Sequence, residues 1–424
     1  MYPWYTAMLL AFLFAVIVIR AADSDNITAL YSKAVERITA RARTQICKDL
    51  IISMYDEQLE AFIMENTFPF ESTDFESECE CEGVSEKRVV EYRPATLRVA
   101  YLLLVHEQPE QVIRLIKALD EPAHTFFIHV DLKSPETYRR LEAWAEEDKK
   151  VFLVPKSQSK RVTWGGWSMV EATLECIKQG LSSNRPFDFM VLLSGSTYPL
   201  QSNRHIRTAL AAAGNQGDIL GDISYEPVVK APVLWHSYVE CDDRLHRVGR
   251  LTYPGGDVEI YQGAQWWAIS LATATWLVSG SGLPQQYAEY AKHTRVPDEH
   301  YFSTMFRHSP FCDRIITPSS DNDHGVSLMT LEWGKDGGWA DNEDEMRCLV
   351  PSYLAMCGRS PIILTVNDPP NDALLASPAL FARKFDATVN GSRHLLDIID
   401  RRRAFDDEAM KLWQDDLNPD GDEL

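Results

Sequence analysis

Continuous apolar runs alternate with amphipathic stretches from residue 97 onward. Four of the runs predict buried strands: LRVAYLLLVH from Leu97, TFFIHVD from Thr125, VFLVP from Val151 and FDFMVLLS from Phe187. Between them, PEQVIRLIKAL predicts a helix with Pro109 near its start, the stretch 135–147 a second, and Ser168 with Glu171 a capping box that opens a third. A strand, helix, strand alternation predicts an α/β fold, with an open, mostly parallel sheet and helices on both faces.

The flanking regions have a different character. Residues 23–94 are polar and helical in pattern before they become acidic and cysteine-bearing, which is typical of a stem. After residue 195 the pattern is less regular: GAQWWAIS predicts a strand, Pro297 opens a helix, and SPALFARKFD predicts a helix that begins at Ser377 and Pro378. Residues 221–262 are the least recognisable, and we expect acceptor recognition in this second half.

The N-terminus indicates entry into the secretory pathway. The first nineteen residues carry no charge, Ala7 to Ile19 are all apolar, and Arg20 follows. This suits either a cleaved signal peptide or a short membrane anchor. Sequons at Asn26 and Asn390, and a C-terminal DGDEL close to the ER-retrieval tetrapeptides, agree with a lumenal setting.

The net charge and the cysteine content limit which partners, disulfides and metal sites the chain can have. With 62 acidic and 42 basic residues the net charge is −20, which argues against nucleic acid or anionic lipid as a partner. Eight cysteines permit up to four bridges in an oxidising lumen, although Cys79 and Cys81 are too close to pair with each other. Neither a CxxC pair nor a histidine at ligand spacing accompanies them, so we expect no zinc site.

The expected ligand site lies beyond the carboxyl ends of the strands, at His106, Asp131 and the turn Ser194-Gly195-Ser196. A lumenal sheet of this kind suggests glycosyl transfer from a nucleotide sugar. The usual metal-binding Asp-x-Asp is replaced here by VLLSGSTYPL, and Asp321-Asn322-Asp323 is typical of a surface turn. We therefore expect side-chain cations, and no metal, to meet the diphosphate.

Seven segments together resemble the core-2/I-branching β-1,6-N-acetylglucosaminyltransferase and protein xylosyltransferase family, over about residues 97–390. They are YLLLVHEQPEQVIRLIKAL, FFIHVDLKS, VTWGGWSMVEATLECIKQGL, FMVLLSGSTYPLQSN, GAQWWAIS, VPDEHYFSTMFRHSPFC and LFARKFD. The resemblance implies a GT-A-type fold and an inverting, metal-independent transfer from a UDP-sugar to a hydroxyl of a glycan or glycoprotein. Residues 95–400 would be the catalytic domain, preceded by a signal or anchor at 1–22 and a stem at 23–94, and followed by an acidic tail at 401–424.

The resemblance also implies roles for individual residues. Glu299 matches the catalytic base, and Lys384 and Arg359 match the cations that hold the diphosphate. The uracil would contact Asp131 and lie among Leu104, Val105 and His106. The acceptor would meet Trp333, and Asp298 is either an acceptor ligand or an acid at a helix N-terminus.

Two features keep alternatives open. Pro297 and Glu299 fit N1 and N3 of a helix, where the dipole stabilises a carboxylate by about 0.3–1 kcal/mol and would keep Glu299 ionised.

Thr197 stands where many members of the family have Asp, which leaves room for a non-catalytic lumenal glycan- or nucleotide-binding protein. A glycoside hydrolase would need two carboxylates flanking one bond. The sequence thus predicts a transferase of the ER or Golgi lumen, with the donor sugar open between N-acetylglucosamine, xylose and glucuronate.

Overall fold

A computed structural model describes residues 24–65, 76–79, 91–228, 236–251, 258–280, 282–317, 326–332, 361–366 and 371–417. Two compact units divide this chain. The first contains the N-terminal helices, a hairpin within residues 231–253, and His293–Arg295, and the second contains the central sheet. None of the described helices is both long and apolar enough to serve as a membrane span. The predicted signal or anchor at 1–22 lies outside the described residues.

Helices and strands alternate through the second unit as the apolar pattern predicts. The strands are β1 Val99–Val105, β2 His124–Val130, β3 Val151–Leu153, β4 Phe189–Ser194, β5 Thr197–Pro199, β6 Ile219–Ile223, β7 His236–Cys241, β8 Arg244–Arg250, β9 Gly263–Ser270, β10 Ile315–Ile316, β11 Met329–Leu331 and β12 Phe381–Arg383. The helices are α1 Ser24–Thr39, α2 Gln45–Glu65, α3 Pro109–Ala118, α4 Pro135–Ala145, α5 Ser168–Ser182, α6 Asn203–Gly214, α7 Leu271–Leu277, α8 Leu283–Ala291, α9 Tyr301–His308, α10 Asn371–Leu375 and α11 Asn390–Leu417.

The central sheet has the strand order β10-β6-β9-β4-β1-β2-β3. All neighbours are parallel except β9, which runs antiparallel to both β4 and β6. Strand β1 lies between β2 and β4, with Val99 opposite His124 on one side and Phe189 on the other. Tyr101 to Leu103 are completely buried, as expected for a strand covered by helices on both faces. The predicted open, mostly parallel sheet of the GT-A type, preceded by helices, is confirmed.

The predicted helix in SPALFARKFD is wrong. This segment instead forms β12, which pairs antiparallel with β5 and parallel with β11 in a three-stranded sheet. Phe381 and Ala382 are fully buried in it. The Ser-Pro pair resembles a helix start, but the backbone groups of this short segment find their partners in two distant strands, and that pairing overrides the local signal.

Helix starts were predicted with mixed success. Pro109 is the first residue of α3, as expected. The capping box at Ser168 and Glu171 is wrong, because α5 has no side-chain cap and the Oγ of Ser168 accepts a hydrogen bond from the backbone N of Thr163 (2.8 Å) instead. The hydroxyl is thus used to orient the preceding loop.

The first unit joins the predicted stem helices to the hairpin β7–β8. Ile51 of α2 packs against Val239 and Val248 of the hairpin. A disulfide links Cys47 to Cys241, and the carboxylate of Asp242 accepts from the backbone N of Thr44 (2.9 Å) at the start of α2. Part of the segment 221–262 therefore belongs with the N-terminal helices, which sequence patterns did not indicate.

The second unit has its own bridge, between Cys79 and Cys312. Beside it, the carboxylate of Glu78 accepts from the indole N of Trp276 (2.7 Å) and from the backbone N of Leu283 (3.2 Å). Cys176 is buried and forms no disulfide, while Cys81, Cys348 and Cys357 lie outside the described residues. Residues 76–79 are thereby tied to the folded core.

Removal of the Cys47–Cys241 bridge should destabilise the protein strongly. The two cysteines are 194 residues apart in sequence, so the bridge restricts the unfolded chain, and loss of a native disulfide typically costs about 2–5 kcal/mol. The double variant Cys47→Ser/Cys241→Ser should therefore melt well below the wild type in differential scanning calorimetry. Reductant should lower its melting temperature further, because Cys79–Cys312 remains. An unchanged melting temperature in the double variant would contradict the prediction.

Candidate active site

A cleft of about 250 Å³ opens at the carboxyl ends of β1, β2 and β4. All the residues that the strand-end rule nominated line it: His106, Asp131, Ser194, Gly195 and Ser196. The residues expected around the uracil line it too, namely Leu104, Val105, His106 and Asp131. The structure thus brings these seven residues to one place, because parallel strands end at the same edge of a sheet.

Asp131 is held rigidly at the end of β2. Its backbone N donates to the carbonyl of Val105 (2.9 Å), and its buried Oδ1 accepts from the backbone N of Lys133 (2.8 Å) and of Val162 (3.3 Å). The ammonium of Lys133 lies 3.6 Å from Oδ2. The carboxylate is therefore oriented at the cleft wall, where its second oxygen faces a lysine and can be shared with a ligand.

The two strand-end histidines have different environments. His129 is buried, its Nε2 accepts from the backbone N of Lys160 (2.8 Å), and burial lowers its pKa to about 4. It is therefore a neutral structural histidine. His106 is exposed at the cleft mouth, with Nε2 3.2 Å from Oε1 of Glu107, so it is placed to contact a ligand.

Hydroxyl groups occupy the turn where an Asp-x-Asp would carry carboxylates. Ser194 Oγ lies 3.0 Å from Thr197 Oγ1 and 3.1 Å from Ser196 Oγ. Thr197 is completely buried, and its Oγ1 also accepts from the backbone N of Ser194 (3.2 Å). Thr197 therefore stabilises the turn itself, and the side chain that reaches this cluster from the cleft is a cation.

That cation is Arg383, at the end of β12. Its Nε donates to Ser194 Oγ (3.1 Å), and its guanidinium lies 4.9 Å from the ring centroid of Trp266. Burial lowers the pKa of Arg383 to about 10, while the charge of Asp298 opposes that shift. Arg383 still carries its charge at neutral pH, and in this cleft water screens that charge less than bulk solvent would.

Gln111 of α3 fixes the segment that carries Arg383. Its buried side-chain amide donates to the carbonyls of Gly195 (2.9 Å) and Phe385 (3.1 Å), and its Oε1 accepts from the backbone N of Ala387 (2.6 Å). The backbone N of Phe385 also donates to the carbonyl of Ser196 (2.9 Å). The buried amide of Gln111 thus links the turn at Gly195 to the segment that follows Arg383.

Pro297–Glu299 forms a 3-10 turn ahead of α9. Asp298 is buried, and Glu299 is half-buried with its Oε2 accepting from Nε2 of Gln262 (3.3 Å). Burial raises the pKa of Glu299, and the bond from Gln262 acts against that rise. Burial therefore outweighs the expected effect of a helix dipole on the pKa of Glu299, since this three-residue turn is too short to offset the lost hydration.

The tryptophans of GAQWWAIS are buried, as expected for packing residues. Trp267 packs against Phe302 and Phe306. Trp266 is also buried, and the face that it turns to the cleft carries Arg383. Trp266 thus combines packing with the placement of a charge.

The structure separates Arg383 from its neighbour Lys384. Among the described residues, the side chains that line the cleft include Arg383 and not Lys384, whose backbone carbonyl accepts from the N of Leu364 (2.8 Å). Strand β12 ends at Arg383, and of the two cations only Arg383 is among the described residues that line the cleft. Sequence reasoning did not select Arg383, because the family resemblance pointed to the adjacent Lys384.

Other predicted residues lie outside the described part of the chain: Arg359, Trp333 and the turn Asp321-Asn322-Asp323. Within the described ranges, one group of metal-ligating side chains comes together, consisting of Cys47, Cys241 and His246. Its two cysteines form the disulfide, so their sulfurs are not available as thiolates.

Comparison with known proteins identifies a family and several curated relatives. Residues 99–346 match the family described as Core-2/I-Branching enzyme. The chain is 26% identical over 362 residues to xylosyltransferase 1 of Homo sapiens, covering 83% of this chain and 35% of that protein. It is 28% identical over 332 residues to xylosyltransferase 2 of Rattus norvegicus, covering 75% and 35%. It is 28% identical over 300 residues to xylosyltransferase oxt of Drosophila melanogaster, covering 69% and 32%.

The chain spans about a third of the length of these curated relatives. Among solved structures, it is similar to 4-diphosphocytidyl-2C-methyl-D-erythritol synthase from Anaerococcus prevotii, with a TM-score of 0.30 and 8% identity. That similarity covers 55% of this chain and 91% of the synthase.

Proposed function

The chain belongs to the core-2/I-branching enzyme family, and from this premise we propose that it is an inverting, metal-independent glycosyltransferase. It would move a sugar from a UDP-sugar to a hydroxyl of a glycan or glycoprotein and form a β-linkage. The observation that carries the proposal is the position of Arg383: it lies in the strand-end cleft, donates to Ser194 and lies against Trp266.

The cleft suits the nucleotide half of the donor. In this proposal the uracil lies against Leu104, Val105 and His106 and contacts Asp131, all of which line the cleft. The diphosphate then extends toward the hydroxyls of the Ser194 turn and Arg383. A guanidinium can donate two parallel hydrogen bonds to phosphate oxygens. Lys384 and Arg359, the cations implied by the family resemblance, would add charge to the same group.

Glu299 would act as the general base. An acceptor hydroxyl is a weak nucleophile until it loses its proton, and a carboxylate with a raised pKa is a better base than an ordinary one. As the hydroxyl oxygen bonds to the anomeric carbon, the bond to the UDP oxygen breaks, and the proton passes to Glu299. The negative charge that grows on UDP is stabilised by the cations, and Trp333 would help to hold the acceptor.

The relatives and the site support xylose or N-acetylglucosamine as the transferred sugar. Relatives named xylosyltransferases favour xylose, and the core-2/I-branching family allows N-acetylglucosamine. The two disulfides support an oxidising compartment, so we place the enzyme in the lumen of the ER or Golgi. Its N-terminal segment would either be cleaved or remain as a single-pass type II anchor.

A donor panel tests this function directly. With UDP-xylose, UDP-N-acetylglucosamine or UDP-glucuronate and a panel of glycan and peptide acceptors, the protein should release UDP and form a β-linked product in the presence of EDTA. Side-chain cations do the work of a divalent ion in this proposal, so chelation should leave the rate unchanged. Measured product formation that requires added metal would refute metal independence. UDP binding without any turnover would favour the non-catalytic binding protein, which the Thr197 substitution suggests.

A further inference from the structure

Asp298 is a buried acid beside the proposed base. It is 4% exposed, and its Oδ1 has no hydrogen-bond partner among the described residues. The backbone N–H of Asp298 itself donates to the carboxyl, but burial with one oxygen unpartnered costs the ionised form more hydration than that one bond returns. The position therefore favours the protonated form of Asp298.

Glu299 has the opposite environment. It is half-buried, and its Oε2 accepts from Gln262. A donated hydrogen bond stabilises the ionised form of a carboxyl. Of the two neighbouring acids, Glu299 therefore ionises first, and its negative charge further disfavours ionisation of Asp298.

Arg383 is the third charged group to consider. Its positive charge lowers the pKa of Asp298, against the larger effect of burial. Its Nε donates to Ser194, and its guanidinium lies on the ring of Trp266. An ionised Asp298 would neutralise this guanidinium and compete with phosphate oxygens for it. A neutral Asp298 leaves the positive charge available to an anionic ligand.

The other charged groups near the turn have partners elsewhere. The elements packed against it are α5, β9 and α9. Strand β9 carries no charged residue. On α5, Glu175 pairs with Lys178 and Lys160, and Glu171 lies 3.8 Å from Lys160. On α9, Arg307 stacks on Tyr225, while His308 lies within hydrogen-bond distance of Ser77 and the Glu259 carbonyl. Burial and the charge of Glu299 therefore raise the pKa of Asp298, while its own backbone N–H and the charge of Arg383 act against that rise.

We propose that Asp298 is a positioning residue that works in its neutral form. By keeping a proton, it leaves Glu299 as the single ionised acid of the turn and Arg383 as an unneutralised cation for the donor phosphates. This inference rests on the proposed function, since it assigns a second acid to the same site. It differs from the acceptor-ligand role, which would use the carboxylate itself.

The expected pH dependence follows from the direction of the pKa shift. Burial, and after it the charge of Glu299, raise the pKa of Asp298 to about 7. Its neutral form is therefore present below about pH 7 and is lost as the pH rises. The wild-type kcat/KM should fall on the alkaline side, approaching about tenfold per pH unit well above that pKa.

Asp298→Asn tests the proposal, because asparagine mimics the neutral acid at every pH. The variant should retain most of the wild-type kcat/KM at about pH 6 and lose the alkaline decline. In isothermal titration calorimetry, wild-type affinity for UDP should weaken between about pH 6 and pH 8 by more than that of the variant. Asp397→Asn, which changes an exposed partner of Arg114, is the matched control and should keep the wild-type profile.

Two outcomes would overturn the inference. One is an Asp298→Asn variant with the wild-type alkaline decline and the wild-type pH dependence of UDP affinity. The other is a variant with a wild-type circular dichroism spectrum and melting temperature that is inactive at every pH, which would show that the carboxylate is needed. Failure of the proposed function is distinguishable from both, since the wild type itself would then transfer no sugar.

Discussion

Glu299→Gln is expected to lower kcat by about 10²–10⁴-fold, the usual contribution of a general base. Glutamine has nearly the same shape, and its amide oxygen can still accept from Gln262, which donates to Glu299 in the wild type. It cannot take a proton from the acceptor hydroxyl. Affinity for UDP should therefore stay close to the wild-type value. Steady-state rates with a donor identified by the panel, together with calorimetry of UDP binding, measure the two effects separately.

The matched control is Glu142→Gln, an acid-to-amide change on α4 at an exposed pair with Lys156. It should leave both kcat and UDP affinity unchanged. Since burial raises the pKa of Glu299, wild-type activity should also decline on the acid side at a higher pH than an ordinary glutamate would cause. Full activity of Glu299→Gln would show that another group takes the proton.

Arg383→Gln is expected to lower kcat by about 10²–10³-fold, as removal of one preorganised charge-stabilising group does in other enzymes. The half-buried guanidinium lies in the cleft, where its interaction with a growing negative charge is less screened than in bulk water. UDP should also bind more weakly. Arg383→Lys should recover only part of the activity, because an ammonium lacks the planar fork that lies against Trp266 and reaches Ser194.

Lys384→Gln provides the neighbouring comparison. It removes the same charge from the adjacent residue, whose side chain does not line the cleft among the described residues. Its effect on kcat and UDP affinity should be smaller than that of Arg383→Gln. The reverse order of effects would assign the diphosphate to Lys384, as the family resemblance implies, and would remove Arg383 from the proposed mechanism. Melting temperatures of both variants separate lost folding from lost chemistry.

The apolar pattern was sufficient for the central sheet and its ligand-binding edge. Strands β1, β2 and β4 are continuous apolar runs, so their burial and parallel pairing could be predicted without knowing their partners. The residues that follow them, such as His106 and Asp131, were then placed at one edge by topology alone. Glu299 was found by its place in a recognisable motif.

Other features depend on partners that are distant in sequence. The segment around Phe381 forms a strand because β5 and β11 offer it hydrogen bonds, and this strand ends at Arg383, which lines the cleft. Cys47 pairs with Cys241 because the hairpin β7–β8 packs on α2. No local pattern encodes such pairings.

The amino-acid sequence by itself determined which stretches are buried, in what order strands and helices follow, and which acid follows Pro297. The tertiary structure alone decided how those acids ionise. Burial raises the pKa of Asp298 and Glu299, and Arg383 and Gln262, which act against that rise, lie far away along the chain. A pKa depends on everything within a few ångströms of the group, whereas a sequence pattern reports only its neighbours along the backbone.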